Sequence, residues 1–181
     1  MNISDTELAA FFIGRLSAEK NPDVFIEIAE KFLKQNPSAP IKFFVIGDGP
    51  MRTKIEEMVS KARGSNVKYL GYQPDIARYL SSGDIFILPS AIEGFPLSVL
   101  EAMAMRLAVI ASDVGAVSEV VDSGKEGYVI SPAAINEAVE ILENLNENRK
   151  LLSNVKQRAR LKVEQSYSNI ILGENYKKMY Q

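Results

Sequence analysis

The chain has 181 residues, 46% hydrophobic and 24% charged, with 11 Gly and 8 Pro, which is ample for a buried core and excludes disordered, collagen-like and low-complexity classes. Twenty-one Lys and Arg against 23 Asp and Glu leave a formal net charge of −2, so there is no general pull toward nucleic acid or anionic lipid, and any phosphate recognition must be local. The absence of Cys and His excludes disulfide frameworks, thiolate and imidazole metal sites, cysteine nucleophiles and histidine-based triads.

The first ten residues, MNISDTELAA, lack the basic start and apolar centre of a signal peptide, and no apolar run approaches the roughly 18 to 20 residues of a membrane span; a cytoplasmic chain is expected. A first strand is expected at 8–14 and a helix over 21–35, with Val24, Phe25, Ile28, Ala29 and Phe32 on one stripe behind Pro22, a residue suited to a first helical turn. A strand at 41–47, a helix over 51–63, a strand at 67–71, a helix over 74–80, a strand at 84–89 and a helix over 96–105 follow. A fifth strand at 108–113, a short helix carrying Glu119, turns at Gly124 and Gly127, and a sixth strand at 127–130 come next. FFVIG and IFILP show no alternation, as strands buried on both faces do.

Strand alternating with helix predicts a parallel sheet wound right-handedly. Residues 132–181 give no strand signal but two or three helices, with Leu142, Leu145, Leu151, Leu152 and Val155 as core candidates, expected to close one side of the sheet. The expected architecture is one Rossmann-like α/β domain over 1–181, with a six-stranded parallel sheet, helices on both faces and a C-terminal helical segment. In such folds ligands sit at the carboxyl ends of the strands, where helix N-termini offer free amides to anions.

Four segments lie at those positions. GRLSAEKN, residues 14–21, follows the first strand; Gly14 allows a sharp turn, and Arg15 and Lys20 fit either a diphosphate clamp or an ordinary solvated loop. GDGP, residues 47–50, is an incomplete phosphate-loop pattern that turn chemistry explains as well. In AIEGFPLSVLEAMAM, residues 91–105, Pro96 fits the first helical position, which frees the first-turn amides for an anion. Only Ser98 and Glu101 are polar in 96–105, so this helix is expected to be buried nearly all round and Glu101 desolvated, accepting from a ribose or paired with a buried cation. Glu93 precedes the helix, either placed for a sugar on the outer phosphate or simply exposed. SDVGAVSEVVDSGKEG, residues 112–127, carries only a weak functional signal. The chain has no Asp-x-Asp triplet, the common means of tethering a divalent ion to a nucleotide diphosphate; cations and a helix dipole are left to stabilise a leaving group.

Assembled in this order, GRLSAEKN, VIGDGP, VKYLGY, SSGDIFILPS, EGFPLSVLE and EAMA resemble the donor-binding half of the retaining group 1 glycosyltransferases, of GT-B architecture, over about residues 12 to 180. The most specific element is the pair Glu93 and Glu101 with seven residues between them. The resemblance implies that Arg15 and Lys20, beside Gly14, bind the donor diphosphate, and that Gly94, Phe95, Pro96 and Leu97 form the helix start at the distal phosphate. It further implies that Glu101 accepts from the ribose hydroxyls, that Glu93 contacts the transferred sugar near the reacting carbon, and that Tyr72 and Gln73 pack the nucleobase. Glu93, Arg15 and Lys20 are the catalytic candidates.

Two departures stand out. Arg106 and Ala108 occupy positions where the family usually has Gly and Pro, and the family's amino-terminal acceptor-binding domain is absent from these 181 residues. The expected function is donor binding in a retaining, metal-independent transfer of a hexosyl group from a UDP- or GDP-sugar to an acceptor hydroxyl, with no cofactor and no nucleic acid partner, with the missing acceptor-binding domain as a partner without which the chain transfers little, and with peripheral membrane association of the full enzyme allowed. The alternative is a non-catalytic nucleotide-sugar-binding regulatory or partner subunit. A phosphorylase or epimerase of similar architecture fits less well, for want of a pyridoxal-anchoring Lys and because of the paired glutamates.

Overall fold

The computed structural model describes residues 3–4, 6–62 and 66–167. The sheet is built on β1 (Leu8–Ile13), whose sequence LAAFFI is buried at every position. A strand apolar on both faces needs cover on both, which places it mid-sheet. Around it lie β2 (Ile41–Ile46), β3 (Val67–Tyr69), β4 (Ile85–Leu88), β5 (Ala108–Ser112) and β6 (Gly127–Ile130), in the order β3-β2-β1-β4-β5-β6. All neighbouring strands are parallel; Phe11, for instance, pairs with Phe44 on one side and Phe86 on the other. Gly127, expected both as a turn position and as the start of the sixth strand, is the first residue of β6.

Alternation along the strands separates two aromatic layers. Phe11 and Phe44 stack with centroids 5.1 Å apart. On the other face Phe12 and Phe43 meet Phe25 at 5.9 and 6.0 Å, and Phe43 meets Phe32 at 5.9 Å. Phe25 and Phe32 come from α1 (Pro22–Gln35), on the stripe predicted from its spacing. α2 (Arg52–Lys61) lies beside α1. α2 ends at Lys61, short of the expected Arg63, because Ala62 turns to an extended backbone with ψ 137°. α3 (Ile76–Leu80) starts two residues later than expected, because the Asp75 side chain caps it by accepting from the Arg78 amide at 3.2 Å.

α4 (Leu97–Ala104) links β4 to β5, and α5 (Val117–Val120), which carries Glu119, links β5 to β6. The last two described helices, α6 (Ile135–Glu147) and α7 (Arg149–Ser166), do not close one side of the sheet together. α6 packs on α1 and β6, whereas α7 packs on α4 and β5, so each covers a different face. β6 is the edge strand, and the chain leaving it can reach either face. α6 buries Ala138, Val139, Leu142 and Leu145; α7 buries Leu152, Val155 and Ala159, with Leu151 half-buried. The part of the expected helical segment beyond Tyr167, up to residues 180 and 181, lies outside the described residues. Among the described residues no helix is long and apolar enough to cross a membrane.

Arg106 is where α4 stops. The Leu107 amide donates to the Ala102 carbonyl and the Arg106 amide to the Met103 carbonyl, both at 3.0 Å. This double closure is the Schellman arrangement, which requires a left-handed residue between helix and exit. Arg106 supplies it with φ 63°, a conformation that costs a residue with a Cβ roughly 1 to 2 kcal/mol. Its side chain is exposed and makes no hydrogen bond or ion pair among the described residues. Arg106→Gly is therefore expected to raise stability by roughly 0.5 to 1 kcal/mol once glycine's greater unfolded-state freedom is subtracted. The urea unfolding midpoint checks it; a lower midpoint would show that the guanidinium has a partner.

Candidate functional site

The strand order reverses between β1 and β4, since the chain builds outward through β2 and β3 on one side and through β5 and β6 on the other. The loops leaving β1 and β4 diverge there and open a crevice at the carboxyl edge. Residues 14–21 and 89–96 are those loops. They are stitched together: the Ala91 amide donates to the Glu19 carbonyl at 2.8 Å, and the Asn21 side-chain amide donates to the Pro89 carbonyl at 3.0 Å.

The loops after β2 and β5 close in from either side, and each does so at a glycine. A Cβ on Gly47 would overlap the Gly14 carbonyl oxygen, and one on Gly115 would overlap the Glu93 carbonyl oxygen. The Leu16 amide donates to the Asp48 carbonyl at 2.9 Å, and the Ala116 amide donates to the Gly94 carbonyl at 3.1 Å. The chain does bend at Gly14 as expected, but the bend does not need a glycine: Gly14 has no positive φ, and a Cβ there would meet only the Phe12 ring at 3.7 Å. It is the facing Gly47, with φ 145°, that must lack a side chain.

Lys20 and Glu93, 73 residues apart in sequence, form an ion pair of 2.6 Å between Nζ and Oε2. The second oxygen, Oε1, accepts from the Ser90 hydroxyl at 2.7 Å. Glu93 is thus no exposed loop acid: its side chain is 5% exposed, and Ser90 is fully buried. The backbone of Asn21 is left-handed, with φ 49°, a conformation Asn tolerates better than most residues. Sequence reasoning missed Ser90 and Asn21 as parts of the site. Asn21 closes the GRLSAEKN segment and has the right chemistry for a positive φ; Ser90 offers only its place just past β4.

Arg15 is exposed and has no ion pair among the described residues. With Gly14, Gly47, Tyr72 and Gln73 it lines a hollow of about 300 Å³. Tyr72 is 70% exposed. The Gln73 amide is committed at both ends, donating to the Leu70 carbonyl at 2.7 Å and accepting from the Tyr79 hydroxyl at 2.8 Å. Tyr69 closes the floor by donating to the Gly47 carbonyl at 3.0 Å. Burial pushes its phenol above the usual range and keeps it a donor.

The start of α4 differs from expectation. Pro96 is the N-cap, and the helix begins at Leu97. The Leu97 amide turns back to the Phe95 carbonyl at 2.9 Å, and the Val99 and Leu100 amides share the Pro96 carbonyl. Of the first turn, only the Ser98 amide finds no acceptor among the described residues. Nor is the helix buried all round: Val99, Ala102 and Met103 face the core, while Leu97 and Glu101, one turn apart, are exposed. Glu101 is neither desolvated nor ion-paired among the described residues. The apolar composition of 96–105 misled because Leu97 and Glu101 lie on an exposed face of the helix. Ile92, Phe95 and Leu97 are 64%, 53% and 64% exposed, an apolar rim on these loops.

Size alone would point elsewhere, because a hollow of about 580 Å³ lies at the opposite edge of the sheet, lined by Glu7, Leu8, Arg78, Tyr79 and Asp84 among others. Its acids are already satisfied, Glu7 by Lys42 at 2.8 Å and Asp84 by Lys156 at 2.6 Å. The Lys42 ammonium holds the Glu7 carboxyl down at about 2. Buried polar atoms without a partner among the described residues fall instead at the carboxyl edge: Ser17 Oγ in the loop after β1, Asp23 Oδ1 in the first turn of α1, and Ser112 Oγ at the end of β5. Such orphans are scarce in folded chains, and each calls for a partner such as a water, an ion or a ligand.

A family model described as "Glycosyl transferases group 1" matches residues 1–162. The alpha-D-kanosaminyltransferase of Streptomyces kanamyceticus is 28% identical over 181 residues, covering 98% of this chain and 46% of that protein. Staphylococcus aureus TarM, solved with fondaparinux, alpha-GlcNAc-glycerol and UDP, superposes with a TM-score of 0.86 at 27% identity, over 100% of this chain and 37% of that one. The C-terminal domain of the group 1 glycosyl transferase LpcC from Francisella tularensis gives a TM-score of 0.81 at 28% identity, over 92% of this chain and 89% of that domain. The chain spans under half the length of these two full-length proteins and nearly the whole of the isolated domain.

Proposed function

The chain belongs to the group 1 glycosyl transferases, and from that premise we propose that residues 1–181 form the nucleotide-sugar-binding domain of a retaining transferase whose acceptor-binding domain lies outside this sequence. The observation that carries the reading is the 2.6 Å meeting of Lys20 and Glu93 at the switch point, where a cation for phosphate and an acid for sugar stand side by side. The donor is a UDP- or GDP-sugar. Arg15, Lys20 and the Ser98 amide receive the diphosphate, Glu101 accepts from the ribose hydroxyls, and the base occupies the hollow of Gly14, Gly47, Tyr72 and Gln73. Gly94, Phe95, Pro96 and Leu97 form the wall beside the outer phosphate.

In the transfer, the bond between the anomeric carbon and the diphosphate oxygen breaks and the diphosphate leaves with the electron pair. The acceptor oxygen forms the new bond to the anomeric carbon on the same face and passes its proton to the departing diphosphate oxygen. Positive charge on Arg15 and Lys20 stabilises the departing diphosphate, which is the main catalytic contribution of this half. No cofactor enters the scheme, and without an Asp-x-Asp triplet the two cations serve where a metal otherwise would. The apolar rim of Ile92, Phe95 and Leu97 is suited to the facing wall of an acceptor domain, through which the full enzyme can also meet a membrane. Alone, the chain binds donor and transfers little.

Calorimetric titration of Glu101→Gln tests the ribose assignment. The unaltered chain should prefer UDP to 2′,3′-dideoxy-UDP by roughly tenfold, the worth of a hydrogen bond to a charged acceptor, equally with Mg²⁺ and with EDTA. Glu101→Gln, which keeps one acceptor oxygen but loses the charge, should weaken that preference at unchanged thermal stability. An undiminished preference removes Glu101 from the ribose, and binding that requires Mg²⁺ contradicts the role given to the cations.

A further inference from the structure

The last residues of the β4 exit hold both members of the central ion pair from one side. The Pro89 carbonyl takes the side-chain amide of Asn21, the neighbour of Lys20, at 3.0 Å. The next residue, Ser90, gives its hydroxyl to Glu93 Oε1 at 2.7 Å, and Lys20 takes Oε2 at 2.6 Å. Glu93 is thereby gripped at both oxygens, and the Ser90 bond is the one that does not involve a group with another task. If Lys20 turns to a diphosphate, the Ser90 hydroxyl is the partner that remains to orient the carboxylate. Ser90 is fully buried, so no water substitutes readily for it, and its side chain has no other hydrogen bond among the described residues.

Resting on the donor-site reading, we propose that Ser90 is a positioning residue for sugar recognition: it fixes Glu93 Oε1 so that Oε2 stays aimed between Lys20 and the sugar of a bound nucleotide-sugar. Ser90 itself touches neither sugar nor phosphate. Its influence is therefore confined to the sugar end and should leave a bare nucleoside diphosphate unaffected. A role in packing alone would weaken both ligands together.

The test is the ratio of affinities for a nucleotide-sugar and its nucleoside diphosphate. The probe is whichever of UDP-glucose, UDP-galactose, UDP-N-acetylglucosamine or GDP-mannose the unaltered chain binds most tightly, set against UDP or GDP. Ser90→Ala is expected to lower the nucleotide-sugar affinity three- to tenfold and the diphosphate affinity by less than twofold, and Ser90→Thr, which keeps the hydroxyl, to restore the ratio. Ser90→Cys fills the same space with a weak donor and should behave as Ala does, which keeps the comparison decisive if Ala lowers stability. An unchanged ratio in both Ala and Cys variants, whether both affinities fall or neither does, overturns the proposal while leaving the donor site standing. An unaltered chain that binds no nucleoside diphosphate removes the donor-site reading and this proposal with it.

Discussion

Replacing Arg15 by Ala is expected to lower the affinity for UDP by about 5- to 150-fold, the equivalent of about 1 to 3 kcal/mol for a charge-assisted contact. Arg15 and Lys20 share one loop but start from different states. Lys20 is already paired with a nearly buried carboxylate at 2.6 Å, so a diphosphate gains its charge only by drawing it from Glu93. Arg15 is exposed and has no ion pair among the described residues, and its planar fork can engage two phosphate oxygens without breaking anything. Arg15→Ala should consequently cost more than Lys20→Met, with an unfolding midpoint close to that of the unaltered chain because no packing is lost. Equal affinities for UDP in the unaltered chain and Arg15→Ala would place the diphosphate elsewhere.

Glu93→Gln is expected to move the two ligands in opposite directions. In the empty site the carboxylate offsets the Lys20 charge, and near an incoming diphosphate it is a repelling anion. The amide keeps the shape and can still accept from Ser90, but it frees the ammonium. UDP should therefore bind roughly three- to tenfold more tightly, most clearly at low ionic strength where the repulsion is least screened. The added affinity contributed by the sugar should fall by about tenfold, because a charged acceptor to the sugar hydroxyls is gone. Titrations of UDP and of the preferred UDP-sugar into both chains read the two effects separately. A loss of UDP affinity in Glu93→Gln would mean that the carboxylate holds Lys20 in place for the diphosphate rather than competing with it.

The sheet was legible because its strands are short, apolar and unalternating, and because helical stripes such as Phe25, Ile28 and Phe32 sit between them. Lys20 and Glu93 stand out by lying just past the first and fourth strands, whereas Tyr72 and Gln73 enter only through the family resemblance. What local pattern could not supply was the direction in which a helix faces. The run 96–105 reads as core by composition, yet Leu97 and Glu101 face outward, since an apolar residue at a crevice and one in a core look the same in sequence. The same blindness to tertiary context assigned the need for a glycine to Gly14 rather than to Gly47 and Gly115, whose missing side chains answer to carbonyls in other loops. It also sent α6 and α7 to one face, although only the partners available on each side, α1 and α4, decide where an exit from an edge strand goes. Arg106 shows the reverse case: a backbone need for positive φ met without glycine, so a missing motif residue did not signal a missing turn.

The decisive experiment is a crystal of this chain soaked with UDP. The diphosphate should lie against the Arg15 guanidinium, the Lys20 ammonium and the Ser98 amide, with both ribose hydroxyls on Glu101 and the base over Tyr72 and Gln73. Nucleotide lodged instead in the hollow at the opposite edge beside Arg78, or absent from the crevice with Glu101 turned to solvent, would contradict it.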